Sequence, residues 1–166
     1  MTRVSALVGG LAVAALAVAA GLGGARASAR ADTVDISVPA TVSFFVTDVS
    51  SPTRGNPSPT PVTFSNASLK KDRGVRLSIR ADGNFTGPGG STIPASHVSW
   101  SIASATGGFG FAGTLGTTSF TELFQAFADT PAGGVELAWS LAPISGPVRA
   151  GTHTLSVRWR IESVKP

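Results

Sequence analysis

The stretch AGTHTLSVRWRIESVKP, residues 150–166, decides the fold. His153, Leu155, Val157, Trp159 and Ile161 fall on one side of an extended chain. Thr154, Ser156, Arg158, Arg160 and Glu162 fall on the other. A period of two marks a strand with one face in a core and the other in water. Working back along the chain, the same alternation recurs in weaker copies. Val135, Leu137, Trp139 and Leu141 alternate with Glu136, Ala138 and Ser140; Val98, Trp100 and Ile102 with Ser99, Ser101 and Ala103; Val75, Leu77 and Ile79 with Arg76, Ser78 and Arg80; Val62 and Phe64 with Thr63 and Ser65.

The first alternation, residues 33–46, sends Val34, Ile36, Val38, Ala40, Val42, Phe44 and Val46 one way. Pro39 cannot donate to a ladder, so this strand lies at an edge or is split there. Phe45 interrupts the polar side. Residues 48–61 (DVSSPTRGNPSPTP) read as an exposed loop, and residues 69–74 as a charged turn with Gly74 suited to a positive φ. Residues 107–116 (GGFGFAGTLG) read as flexible or tightly turned. Residues 118–127 are ambiguous: Phe120, Leu123, Phe124 and Phe127 have helical spacing, while Phe120, Glu122 and Phe124 fit a strand. In a chain otherwise made of strands, a strand or a single short turn is the better reading. No convincing amphipathic helix appears. The pattern predicts an all-β chain, an antiparallel immunoglobulin-like β-sandwich.

The chain has 166 residues and no cysteine. Residues 1–31 have the layout of a cleaved secretory signal: Arg3, an apolar run to Leu22, and small-residue sites ending at Ala31. An uncleaved membrane anchor is the alternative, since the run is nearly long enough to span, but its glycines and the small-residue sites favour cleavage after Ala31. With no cysteine after the run, a lipoprotein anchor is excluded. Residues 32–166 then form a single domain, long enough to bury a core without staples, secreted and with no integral membrane span. Export without disulfides leans bacterial. Arg3, Arg26 and Arg30 leave with the signal, so ten basic residues face nine acidic ones, a net charge near +1. A nucleic-acid partner is set aside, because such proteins carry a stronger, clustered excess of positive charge.

The catalytic inventory is poor. The two histidines, His97 and His153, lack the spacing of a zinc site. No Gly-x-Ser-x-Gly elbow supports a Ser-His-Asp triad, and nothing selects a carboxylate pair for glycoside hydrolysis. Asp82-Gly83-Asn84 could hold calcium but is ordinary turn chemistry. No catalytic residue, metal or cofactor is assigned, and a small secreted hydrolase is the least favoured class. Two Asn-x-Ser/Thr sequons, at Asn66 and Asn84, carry no weight in a bacterial chain.

Two surface features remain. Arg76, Arg80, Arg158 and Arg160 share the polar sides of two strands. If those strands are neighbours, the four form a patch for anionic envelope polymers such as teichoic acids or acidic glycans. The plainer reading is a solvated face neutralised by Glu162 and Glu136. Trp100, Trp139 and Trp159 lie on apolar sides and read as core, so Phe109 and Phe111 are the better candidates for an exposed sticky patch.

Residues 150–166 resemble the distal motif of WxL domains, bacterial cell-surface modules ending in a pattern of the form A-G-T-Y-T-x-T-x-T-W-x-L followed by a proline. Ala150, Gly151, Thr152, Thr154, Trp159 and Pro166 match; His153 takes the Tyr place and Ile161 the Leu place. Gly74-Val75-Arg76-Leu77-Ser78-Ile79 is similar to the proximal Gly-Trp-x-Leu-x-Val motif, with Val75 in the Trp place. Trp139-Ser140-Leu141 is a further literal W-x-L. The resemblance implies a β-sandwich, export, and noncovalent attachment to the bacterial cell envelope or to other surface proteins. The expected role is therefore structural or adhesive. The competing class is a pilus-like filament subunit that self-assembles by donor-strand exchange through residues 33–46, with Val34, Ile36, Val38, Val42 and Phe44 filling a neighbour's pockets.

Overall fold

The structure, a computed structural model, describes residues 2–7 and 32–166. Its strands in chain order are β1 (Thr2–Leu7), β2 (Thr33–Val38), β3 (Thr41–Val46), β4 (Thr53–Asn56), β5 (Thr60–Ser68), β6 (Gly74–Ala81), β7 (Phe85–Thr86), β8 (Thr92–Ile93), β9 (Val98–Thr106), β10 (Gly108–Gly110), β11 (Gly113–Thr114), β12 (Thr121–Ala126), β13 (Gly133–Leu141) and β14 (Gly151–Val164). Two short 3-10 turns, Pro88–Gly90 and Ala95–His97, are the helical elements among the described residues. The expected antiparallel all-β sandwich is present.

One layer runs β2-β5-β13-β9, with β11 on the far edge of β9. The other runs β3-β14-β6-β12-β10. β4 pairs with both β13 and β3 and joins the layers along one side. β1 lies in the expected signal segment and pairs with the outer edge of β2. The rest of that segment, with its apolar run from residue 8 and its cleavage sites, lies outside the described residues.

Pro39 does split the first alternation. β2 joins one layer and β3 the other, so Val34 and Ile36 enter the core from one side and Val42, Phe44 and Val46 from the other. The last strand holds this crossover. Val157 N–H donates to the Ala40 carbonyl at 3.2 Å, and the Trp159 indole N–H to the Pro39 carbonyl at 2.7 Å. β14 itself spans two partners: Gly151 to Ser156 pair with β3, and Val157 to Val164 with β6. His153, Leu155 and Val157 are buried, whereas Trp159 and Ile161 are only half-buried, packed on the rim of the core.

The core is aromatic. Phe64 of β5 meets Phe124 of β12 across the layers at 6.0 Å, and Trp100 and Trp139, paired on β9 and β13, stand edge to face at 5.8 Å. A buried indole needs a partner for its N–H. Trp139 finds the Thr60 hydroxyl at 3.1 Å and Trp100 the Phe111 carbonyl at 2.7 Å.

Three sequence expectations are corrected, and the ambiguous segment takes its favoured reading. Residues 48–61 are not all exposed loop: β4 forms within them, and Gly55 is buried because a Cβ there would lie 2.6 Å from Trp139 Cβ. Residues 107–116 contain β10 and β11. Gly74 does not take a positive φ; Asp72 does (φ 61), and Gly74 is required because a Cβ would sit 2.5 Å from the Ala126 carbonyl oxygen. Residues 121–126 are a strand whose register against β6 slips between Glu122 and Phe124. That bulge buries both Leu123 and Phe124, which produces the helix-like spacing.

Candidate functional site: an arginine face on β6, β14 and β12

β6 and β14 are neighbours, so the four arginines do share one surface. Arg158 stands directly opposite Arg80, Arg160 opposite Ser78, and Glu162 opposite Arg76. On the other flank Glu122 of β12 also faces Ser78. Ser78 is consequently buried at 3% exposure, covered by the longer side chains around it. Two residues before Glu122, Phe120 extends the same face, and its ring lies under two guanidinium groups: Arg80 at 5.2 Å and Arg160 at 5.3 Å from the ring centroid. Such stacking is electrostatically favourable and fixes the planes of both guanidinium groups.

Three carboxylates share the surface. Arg158 pairs with Asp82, Arg160 Nη2 with Glu162 Oε2 at 2.7 Å, and Arg76 Nε lies 3.3 Å from Glu122 Oε2, out of line for a hydrogen bond. Four arginines against three carboxylates leave the face with a net positive charge. Glu136, expected to neutralise it, is elsewhere: it is on β13 in the other layer, where it accepts a hydrogen bond from the Ser104 hydroxyl at 2.9 Å. Arg80 is the arginine of the four with no carboxylate among the described ion pairs; its Nη1 donates to the Thr117 carbonyl at 3.3 Å. The arrangement presents fixed, partly solvated guanidinium forks to an anion.

The remaining candidates fall elsewhere. Trp100, Trp139 and Leu141 are buried in the first layer, while Trp159 and Ile161 belong to the second, so Trp139-Ser140-Leu141 and Trp159-Arg160-Ile161 do not form one site. Of the candidate donor residues, Val34, Ile36, Val42 and Phe44 are buried within their own sandwich and Val38 is half-buried. At Asp82-Gly83-Asn84, the Asp82 carboxylate is taken by Arg158, and the Asn84 side-chain oxygen accepts from Ala95 N–H at 3.3 Å. Both would-be cation ligands are thus engaged in holding the turn.

The sequence did not single out a Ser-His contact, yet Ser91 Oγ lies 3.2 Å from His153 Nε2. Ser91 Oγ also donates to the Pro88 carbonyl at 3.0 Å, and His153 Nδ1 faces the Gly151 carbonyl at 3.2 Å. In a hydrolytic triad that nitrogen would face a carboxylate. The ring is fully buried and Gly87 lies against it: a Cβ there would be 2.1 Å from His153 Cδ2. The pair ties the 87–91 loop to β14. A shallow cleft of about 400 Å³ lies away from this pair, between β5, β9 and β13, and Glu136 is the carboxylate among its lining residues.

Phe109 and Phe111 are exposed, as expected, and Phe127 joins them, edge to face with Phe109 at 5.0 Å. Phe120 and Phe127 were legible only as members of an ambiguous segment; the strand assignment of residues 121–126 places both. Comparison of the chain with protein-family models, curated proteins and solved structures gave no match.

Proposed function

We propose that the chain is exported from a bacterial cell, loses residues 1–31, and acts as a noncatalytic β-sandwich of the cell surface. Its arginine face holds to anionic envelope polymers, such as teichoic acids or acidic glycans, in a structural or adhesive role. The observation that carries this reading is the pairing of β6 with β14, which sets Arg80 opposite Arg158 with Arg160 two residues further on the same face. Like charges directly opposite on a sheet are destabilising. A phosphate or carboxylate bridging those guanidinium groups relieves that repulsion and takes their paired N–H donors. Phe120 holds two of the groups in place before the anion arrives, which lowers the ordering cost. The resemblance of residues 150–166 to WxL domains supports the same role.

The filament reading has less support, because the candidate donor residues Val34, Ile36, Val42 and Phe44 are packed within their own layers. The test is co-sedimentation of the chain, purified as exported, with isolated bacterial envelopes. The wild type is expected in the pellet and Arg80→Glu/Arg160→Glu in the supernatant. Equal pelleting of both would overturn the assignment of the face, and no pelleting of the wild type would overturn the role.

A further inference from the structure

The layer that carries the arginine face ends at β10, and that end has a different chemistry. Residues 83–121 contain no Asp, Glu, Lys or Arg. Natural edge strands are usually kept very short or blunted by charge, proline or a covering segment. β10 is short, Gly108-Phe109-Gly110, but carries no charge or proline, and among the described residues no strand pairs with its outer side.

The direction of its backbone groups follows from the bonds on the inner side. Phe111 N–H donates to the Leu123 carbonyl at 2.8 Å, and Phe127 N–H to the Gly107 carbonyl at 2.9 Å. Along a strand the backbone groups of successive residues point to opposite sides. Residues 107, 109 and 111 therefore turn theirs toward β12, and Gly108 and Gly110 turn theirs outward. Both glycines are needed: a Cβ at Gly108 would meet the Gln125 carbonyl oxygen at 2.2 Å, and one at Gly110 would meet Ile102 Cγ2 at 2.8 Å. The outer side of β10 thus offers backbone donors and acceptors with no side chain of its own glycines to shield them. On the solvent face beside it stand Phe109, 62% exposed, Phe111 and Phe127.

We propose that this edge pairs with the same edge of a second copy. The three-residue strand reads identically in both directions, so it pairs antiparallel with itself about a two-fold axis through Phe109. Gly108 then faces Gly110 of the second copy and exchanges both backbone hydrogen bonds with it, and the symmetric pair does the same. Phe109 faces Phe109 of the second copy at the closer, non-hydrogen-bonded position, where aromatic pairs stabilise a sheet. The absence of charge across residues 83–121 means that two copies meet here without like-charge repulsion. The pairing extends the second layer through two molecules, a closed isologous contact. It is independent of the arginine face, so each can fail without the other.

Sedimentation velocity over a range of concentration tests it, on the wild type, Phe109→Arg and Phe45→Arg. Phe45 is equally exposed but lies on β3, so it serves as the control. The expected result is a concentration-dependent dimer for the wild type and Phe45→Arg, and a monomer for Phe109→Arg, which sets two arginines together on the axis. A wild type that stays monomeric throughout the range overturns the proposal. So does a dimer that survives Phe109→Arg, or one that is lost in both variants.

Discussion

The two ends of one layer make opposite uses of their surface. At β6 and β14 the exposed residues are long and charged, and each is held by a neighbour: an ion pair, a carbonyl or the Phe120 ring. At β10, two strands away from β6, there is no charge, two glycines turn unshielded backbone groups outward, and three phenylalanines face solvent. β12 separates the regions and serves both. Its N-terminal half presents Glu122 to the arginine face, and its C-terminal half pairs with β10 at Gln125 and leads into Phe127. The difference teaches that a single sheet can carry two kinds of contact distinguishable by salt. Contacts made by the arginine face weaken as salt screens them, within a Debye length of about 8 Å at physiological ionic strength. Contacts made by the phenylalanine edge do not, because apolar burial is not screened.

Substitutions separate the two surfaces. The largest effect is expected beneath both regions. Phe124 is fully buried on β12, and Phe124→Ala should cost about 3–5 kcal/mol in urea unfolding and weaken both surfaces together. Loss of one surface alone would mean that β12 does not couple them. Ser91→Ala, in the charge-free run, leaves the buried His153 Nε2 without its hydroxyl partner and should cost about 1–3 kcal/mol, with envelope binding unchanged. A neutral result would show that the pair does not hold the loop.

On the charged side, Arg80→Ala should weaken binding to a purified polyanion about tenfold, or about 1.4 kcal/mol, measured by calorimetry at low salt. Arg158→Ala should shift stability by less than about 1 kcal/mol, since its pair with Asp82 is exposed to solvent. The smallest effect belongs to Asp48. Hydrogen bonds from the Ser50 hydroxyl, the Ser50 N–H and the Ser51 hydroxyl hold its carboxyl below the usual range. Its contribution to stability is present above the unfolded-state value and is lost as pH falls through the depressed folded value. Asp48→Asn should remove only this slight acid-side slope from the melting temperature, touching neither surface.

How far these features were legible depended on whether they were local. The alternation from His153 to Val157 needed only a period of two, and the split at Pro39 only a missing N–H. The face shared by Arg76 and Arg80, or by Arg158 and Arg160, was equally local. That the two pairs adjoin was not, because it depends on strand order, which no single segment encodes. The stacking of Phe120 depends on the same order. Residues 118–127 were ambiguous for a physical reason: a bulge buries two consecutive residues, Leu123 and Phe124, and so mimics helical spacing. Residues 48–61 misled by composition, because β4 is held by backbone pairing and by the close approach of Gly55 to Trp139, neither of which leaves a hydrophobic run. The contact of Ser91 with His153 joins residues far apart in sequence and had no signal at all.

The salt dependence of binding to isolated envelope polyanion, for the wild type and for Arg80→Glu/Arg160→Glu, tests whether the arginine face is the binding surface. The wild type should bind at low salt, its affinity should fall steadily as salt rises, and the variant should not bind at any salt concentration. Wild-type binding that is indifferent to salt and equal to that of the variant would contradict that assignment.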